Sequence, residues 1–165
     1  MRARLVILMM AASLTGCLSD QPIAPGSAEP LDRSLLGTWR CVFPEEADPA
    51  LLKITEGEGR AIRAVISGGG DEQPSTWTAY LVSFEGKHLL NVQADDKEKW
   101  WTVAQYTLYR PTILHVEYPK YDNETLKGVA TPAQRRDALR RGYKAKTLFD
   151  ESFTCVRVMK EGSQK

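Results

Sequence analysis

Short segments rich in β-branched and aromatic residues recur along the chain from Leu35 onward, and clusters of Gly, Pro and Asp separate them. Short strands divided in this way by turn residues are typical of an all-β sandwich or barrel. The short intervals favour antiparallel pairing, because parallel strands need long crossover connections. The pattern predicts eight strands, near residues 35–43, 50–56, 60–67, 76–85, 88–94, 100–109, 112–118 and 151–159.

The breaks between the strands have the composition of turns. EGEG (56–59), FEGK (84–87) and YRPT (109–112) are predicted to be hairpin loops. SGGGDEQPS (67–75) carries three consecutive glycines and a proline, and it is predicted to be a longer, mobile loop.

One helix is predicted before the last strand. In the sequence TPAQ (131–134), the threonine can cap a helix, the proline suits its first position and the glutamine completes a capping box. Gly142 is predicted to end the helix. Asp137 and Arg141 are predicted to form a supporting pair four residues apart. The fold class is therefore all-β with one short helix.

Two cysteines lie in the predicted first and last strands. If the eight strands form an up-and-down barrel, these strands become antiparallel neighbours, and Cys41 can face Cys155. The same register pairs Trp39 with Arg157, and all four side chains then lie on one face, because side chains repeat every two residues along a strand. The two cysteines are predicted to form a disulfide, as an oxidising compartment outside the cytoplasm allows, and the alternative is two buried free thiols.

The sequence Gly37-Thr38-Trp39 resembles the Gly-x-Trp motif that opens the first strand of lipocalins and related calycin barrels. The resemblance implies an eight-stranded antiparallel lipocalin-like barrel over residues 35–160. It also implies that a basic residue of the last strand packs on the Trp ring and closes the base of the barrel. Arg157 stands at that position, so Gly37, Trp39 and Arg157 are the predicted structural closure.

The N-terminus has the order of a secretory signal peptide. A start with two arginines precedes the apolar run 5–10, and small residues follow it. The run has about half of the roughly 20 residues that a membrane-spanning helix needs. Leu14-Thr15-Gly16-Cys17 resembles the lipobox of bacterial lipoproteins. The resemblance implies cleavage after residue 16 and acylation of Cys17.

Lipidation of Cys17 would explain why the chain has three cysteines, an odd number. More than one acyl chain holds a protein stably on a bilayer. Leu18 follows where an Asp would favour the inner membrane in enteric lipoproteins, so the resemblance implies an outer-membrane lipoprotein facing the periplasm. The proline-containing stretch 17–34 is predicted to be a flexible tether, and residues 161–165 a disordered tail.

Charge and motifs limit the function. With 22 basic and 21 acidic side chains, the chain lacks the charge excess of a nucleic-acid-binding protein. No nucleophile elbow, phosphate loop or dinucleotide motif is present. His88 and His115 stand without cysteines or acidic residues at zinc-site spacing. Asp95-Asp96 is expected to lie in a solvated turn. We therefore expect no enzyme activity, no metal and no cofactor.

Two further segments allow alternative interpretations. KWWTVAQYTLY (99–109) is predicted to place its even-numbered residues from Trp100 to Leu108 on one face and its odd-numbered residues on the other. These faces fit packing inside the barrel and under a helix, or an exposed aromatic rim. RRDALRRGYKAK (135–146) is a basic run that can lie on anionic headgroups or form a solvated face.

These observations predict an envelope lipoprotein that acts as a non-enzymatic binding module. An eight-stranded barrel is just wide enough to be filled by side chains or to hold one small ligand. A hollow barrel would bind a small apolar ligand or lipid. A filled barrel would instead favour a protein–protein interaction module, an adaptor or enzyme inhibitor, with the 67–75 loop as its contact element.

Overall fold

The structure is a computed structural model of the chain. The leader, Cys17 and residues 161–165 lie outside the part that it describes, so the predicted signal peptide, lipidation site and C-terminal tail stay predictions. The described residues are 22, 24, 28–44, 48–69, 71–95, 100–120 and 123–159.

Eight antiparallel strands form one closed barrel in which each strand pairs with its neighbours in the chain and the last strand pairs with the first. One helix, α1 (Pro132–Ala145), lies between the seventh and eighth strands. The predicted fold class is therefore confirmed. The strands are β1 (Gly37–Val42), β2 (Ala50–Glu56), β3 (Ile62–Gly68), β4 (Asp71–Phe84), β5 (Lys87–Ala94), β6 (Trp101–Leu108), β7 (Ile113–Tyr118) and β8 (Glu151–Arg157).

The alternation of residue types sets the direction of each side chain. In β2, Leu52 and Ile54 are buried inside the barrel, whereas Leu51 and Lys53 are exposed outside. This period of two is the geometry of a pleated strand with one face on the core.

The β4–β5 hairpin confirms one predicted turn. Phe84 pairs with Lys87, and the two residues between them, Glu85 and Gly86, have φ angles of 49° and 75°. Two successive positive φ angles define the type I′ turn, whose twist matches that of the flanking strands.

The prediction of a mobile loop over 67–75 is wrong. β4 begins at Asp71, and it continues to pair with the end of β3. The register shifts between Ile66 and Gly68, and Pro74 lies within the irregular part of β4 opposite this shift. Such an irregularity can accommodate a proline because it already interrupts the hydrogen-bond ladder. The glycine and proline that suggested a loop therefore mark an irregular extension of a hairpin.

The start of α1 is as predicted, but its end and its ion pair are not. The Thr131 side chain accepts a hydrogen bond from the Gln134 N–H, and the Gln134 side chain accepts one from the Thr131 N–H. Gly142 lies inside the helix, which ends at Lys146 with φ 57°. Asp137 pairs with Arg140 rather than with Arg141.

Gly142 is explained by close packing rather than by helix termination. A Cβ atom at this position would lie 2.8 Å from Thr125 Cγ2 and 2.9 Å from Leu148 Cβ. The glycine therefore allows the helix to approach the segments that precede and follow it.

The helix covers the outer wall of β4, β5 and β6. Ala138 and Leu139 pack there against a cluster that includes Phe84, Leu89 and Val103. The predicted division of segment 99–109 is confirmed in this respect, because Val103 lies under the helix while Trp100 faces the interior.

The chain before the barrel also packs on this wall at the positions that the structure describes. Ala24 is almost fully buried in the cluster beneath α1. Its N–H donates to Asn91 Oδ1, and the Asn91 amide donates to the Ala24 carbonyl, both at 2.8 Å. Glu29 donates its N–H to the Leu81 carbonyl. Ala24 and Glu29 thus contact the barrel, and the flexible tether over 17–34 stays a prediction.

Among the described residues, no helix combines the length and the apolar composition that crossing a membrane requires.

Candidate functional site

The seam between β1 and β8 has the predicted register. Trp39 pairs with Arg157, and Cys41 pairs with Cys155. The two sulfur atoms form a disulfide, so the alternative of two free thiols is wrong. Both cysteines are fully buried inside the barrel. The bond therefore closes the barrel covalently at the one seam that joins the two ends of the sheet.

The base of the barrel is closed by Trp39 and by the chain just before β1. The indole N–H of Trp39 donates to the Leu35 carbonyl at 2.9 Å. Arg157 lies over the ring and donates to the Leu36 carbonyl at 2.7 Å. Gly37 has a φ angle of 136°, and a Cβ there would lie 2.8 Å from the Arg157 guanidinium. Gly37, Trp39 and Arg157 are thus brought together as the resemblance implied.

A polar contact outside the predicted set also fixes the base. The Tyr106 hydroxyl donates to Asp32 at 2.8 Å, and the Ser34 N–H donates to the same carboxylate at 2.9 Å. Partial burial of Asp32 favours its neutral form, but the hydrogen bonds from Ser34 and Tyr106 outweigh this effect and lower its pKa. Burial, together with the Asp32 carboxylate, raises the pKa of Tyr106.

Above this base the barrel is hollow. The cavity has a volume of about 420 Å³, within the range of roughly 300–1,000 Å³ that is usual for ligand pockets. Its wall is almost entirely apolar. Three alanines on different strands, Ala64, Ala79 and Ala104, face the interior and leave the space that larger side chains would fill. The remaining wall includes Leu52, Ile54, Ile62, Leu90, Val92 and Val116.

Aromatic side chains gather toward the end of the cavity opposite the closed base. Trp77 and Trp100 meet edge to face with their ring centres 5.1 Å apart. Across the same part of the cavity wall, Phe43 packs on Phe153 at 4.6 Å, and Tyr118 lies beside Phe153 at 5.9 Å. These rings extend the apolar lining to the mouth.

One charged pair lies at the mouth. Lys120 and Glu151 both line the cavity, and their side chains approach to 4.0 Å. Lys120 is exposed to solvent. The mouth is therefore the part of the site where a polar end of a ligand can stay hydrated beside charged groups, while the interior favours apolar atoms.

The other candidate residues are not assembled into a chemical site. His88 contacts Glu29 at 3.2 Å, and His115 contacts Thr154 at 3.0 Å. Asp95 accepts a hydrogen bond from Thr78, and its neighbour Asp96 lies outside the described residues. In the part of the chain that the structure describes, no three His, Cys, Asp or Glu side chains are grouped so that they could hold a metal ion.

Sequence reasoning missed the residues that decide the interior. Ala64, Ala79 and Ala104 are small residues at inward positions of predicted strands, and this pattern is visible once the inward face is known. Asp32 and Tyr106 are 74 residues apart in the sequence, and no local pattern connects them.

Fold and cavity together define a class: a closed, eight-stranded antiparallel barrel with a sealed base and an apolar interior that opens at the other end. No family model, curated protein or solved structure matches this chain.

Proposed function

We propose that this chain is a lipid-anchored protein of the bacterial envelope that binds one small apolar molecule or lipid tail inside its barrel. The observation that carries the proposal is the hollow interior, with about 420 Å³ of space behind an almost wholly apolar wall. Filling an apolar cavity of this size with an apolar molecule, in place of water or empty space, lowers the free energy of the system.

The polar groups around the cavity limit the kind of ligand. Tyr106 is the polar aromatic residue nearest the base, and its hydroxyl already donates a hydrogen bond to the Asp32 carboxylate. A ligand that carried a polar group to the base would lose hydration without gaining a ready partner. The expected ligand therefore has an apolar body that fills the interior, and any polar end lies at the mouth beside Lys120 and Glu151.

The envelope location is supported by the sequence. The leader and Leu14-Thr15-Gly16-Cys17 resemble those of bacterial lipoproteins, and the Gly-x-Trp motif with Arg157 resembles the closure of lipocalin-like barrels. The proposed place is the outer membrane facing the periplasm, with acylated Cys17 as the anchor. Replacing Cys17 by Ala should remove the acyl anchor. If the leader is still cleaved, the protein should move from the membrane fraction to the soluble fraction. If the leader is not cleaved, the protein should accumulate as an unprocessed precursor. A variant that is still processed and membrane-bound like the wild type would contradict the anchor.

Binding can be tested by filling the cavity. Ala104→Phe places a ring in the interior, whereas Thr107→Phe places the same ring on the exposed outer face of the same strand. We expect the neutral dye N-phenylnaphthylamine to bind the wild type and Thr107→Phe, with at least tenfold weaker binding to Ala104→Phe. Equal binding to all three would contradict the proposed site.

The native ligand can be sought directly. Native mass spectrometry of the protein extracted from its own membrane should show an adduct that Ala104→Phe lacks. An adduct retained at equal occupancy by Ala104→Phe would place the ligand outside the barrel.

A further inference from the structure

Helix α1 turns a strongly basic face away from the barrel. Its inner side consists of Arg135, Ala138, Leu139 and Gly142, which are buried. A helix advances about 100° per residue, so the opposite side holds a separate set of residues. Four of these seven are basic and one is acidic, and all are exposed: Ala133, Gln134, Arg136, Asp137, Arg140, Arg141 and Lys144.

Most of this positive charge is not neutralised locally. Arg140 pairs with Glu85 and with Asp137. Arg136, Arg141 and Lys144 take part in none of the ion pairs formed within the described ranges. The near-neutral charge of the whole chain therefore hides a local excess of positive charge on one helix face.

Ala24, the described residue of the N-terminal segment that lies seven positions after Cys17, is fixed to the same side of the barrel. Ala24 is buried in the cluster that also contains Ala138 and Leu139 of α1, and Asn91 holds both of its backbone polar groups. Cys17 precedes Ala24 by seven residues. A chain of that length spans at most about 25 Å, and a helix of 14 residues is about 21 Å long. An acyl anchor at Cys17 would thus hold α1 close to the bilayer.

We propose that the outer face of α1 lies on an anionic lipid bilayer and fixes the orientation of the barrel on the membrane. Arg136, Arg141 and Lys144 supply the charge complementarity, and the short reach from Ala24 identifies the partner as the membrane that holds the N-terminus rather than an acidic protein. The contact is electrostatic and peripheral, because the face carries no large apolar side chain. It rests on the proposed anchor at Cys17 and is independent of ligand binding in the cavity.

The opposite wall of the barrel provides a matched control. Arg40, Lys53 and Arg63 are exposed on the outer faces of β1, β2 and β3, beside the exposed apolar residues Val42 and Leu51. Among the residues that the structure describes, the N-terminal segment meets this wall only at its base end, where Arg33 pairs with Glu56 at 3.8 Å and Arg60 donates to the Ala28 carbonyl at 3.4 Å. Both contacts involve residues of the segment that are farther along the chain from Cys17 than Ala24 is. Neutralising its three cations changes the net charge as much as neutralising three cations of α1.

The test uses the processed chain, residues 17–165, with Cys17→Ala in every protein, so that neither an acyl chain nor the arginines and apolar run of the leader contribute to binding. Flotation with phosphatidylcholine vesicles, with and without phosphatidylglycerol, measures the part of binding that depends on anionic lipid. The helix variant carries Arg136→Gln, Arg141→Gln and Lys144→Gln. The control variant carries Arg40→Gln, Lys53→Gln and Arg63→Gln. Thermal unfolding verifies that both variants fold.

We expect phosphatidylglycerol to increase binding of the unsubstituted protein, and added salt to reverse the increase. Each basic residue near an anionic surface strengthens binding about fivefold, so the helix variant should lose at least tenfold of the lipid-dependent binding. The control variant should stay within about twofold. Equal loss in both variants, loss in the control alone, or no dependence on phosphatidylglycerol would overturn the proposal, and none of these results bears on the cavity.

Discussion

The guanidinium carbon of Arg157 lies 4.1 Å from the centre of the Trp39 ring. The same guanidinium donates hydrogen bonds to the carbonyls of Leu36 and Pro111, at 2.7 and 2.9 Å, and to that of Ser34. One side chain of the last strand therefore ties together the chain before β1 and the β6–β7 turn. The base of the cavity depends on this arrangement.

Replacing Arg157 by Met should lower the free energy of unfolding by about 2–5 kcal/mol. The loss combines a cation–π contact of about 0.5–2 kcal/mol with carbonyl groups left without donors, at about 1–3 kcal/mol. Urea unfolding measures the effect, and Arg40→Met, at an exposed position, is the control. Arg157→Lys should fall between them, because it keeps the charge but not the forked donors. A loss no larger than that of Arg40→Met would contradict this role.

Removing the disulfide should lower the thermal midpoint by about 5–15 °C. The bond closes a long loop, since its cysteines are 114 residues apart, and such bonds stabilise proteins by about 2–5 kcal/mol. The variant Cys41→Ser with Cys155→Ser should show this loss. A reductant should produce a similar shift in the wild type and none in the double variant. Unchanged thermal midpoints in both experiments would show that the disulfide between Cys41 and Cys155 does not stabilise the protein.

The contact between Asp32 and Tyr106 should make stability depend on pH at both extremes. The pKa of Asp32 is lowered from its ordinary value of 3.8, so its contribution is complete above about pH 4 and is lost as the pH falls further. The pKa of Tyr106 is raised above 10, so its contribution is complete below about pH 10 and is lost as the pH rises.

Two variants separate these effects in urea unfolding across pH. Asp32→Asn should be less stable at neutral pH and should lose less stability below pH 4 than the wild type. Tyr106→Phe should lose less stability above pH 10. The pKa of Tyr143 is also raised, mainly by burial and not by Asp32, so the stability change that Tyr143 causes above pH 10 should be the same in the wild type and in Asp32→Asn. Parallel pH profiles for all three proteins would contradict the assignment.

Gly142→Ala should destabilise the protein by about 1–3 kcal/mol, although alanine favours a helix by about 1 kcal/mol over glycine. The new methyl group would meet Thr125 Cγ2 at 2.8 Å and Leu148 Cβ at 2.9 Å. Thermal unfolding provides the measurement. Adding Thr125→Ala should recover part of the loss, because it removes one of the two clashing groups. A more stable Gly142→Ala would show that the helix can move away at no cost.

The pattern of strands and turns in the sequence was enough to predict much of the fold. Alternation in segments such as β2, turn residues at 84–87 and the cap at 131–134 are local features, so they could be interpreted without a structure. The pairing of Cys41 with Cys155 and of Trp39 with Arg157 also followed from sequence, because closing a meander of eight strands leaves only its first and last strands to be joined. The predictions of a loop over 67–75 and of a helix end at Gly142 were wrong for one reason. Glycine and proline there accommodate a strand irregularity and a close contact, which local composition cannot distinguish from a loop or a helix end.

By itself, the sequence determined that the chain is an up-and-down barrel with a helix before its last strand and a specific seam, since periodicity and turn chemistry act between near neighbours. Only the tertiary structure decided that the interior is hollow, because the volume depends on which side chains from different strands meet across the barrel. It likewise decided that Asp32 reaches Tyr106 and that Ala24 lies beneath α1. These contacts join residues far apart in the chain, and their energies depend on burial and distance, which the order of residues does not specify.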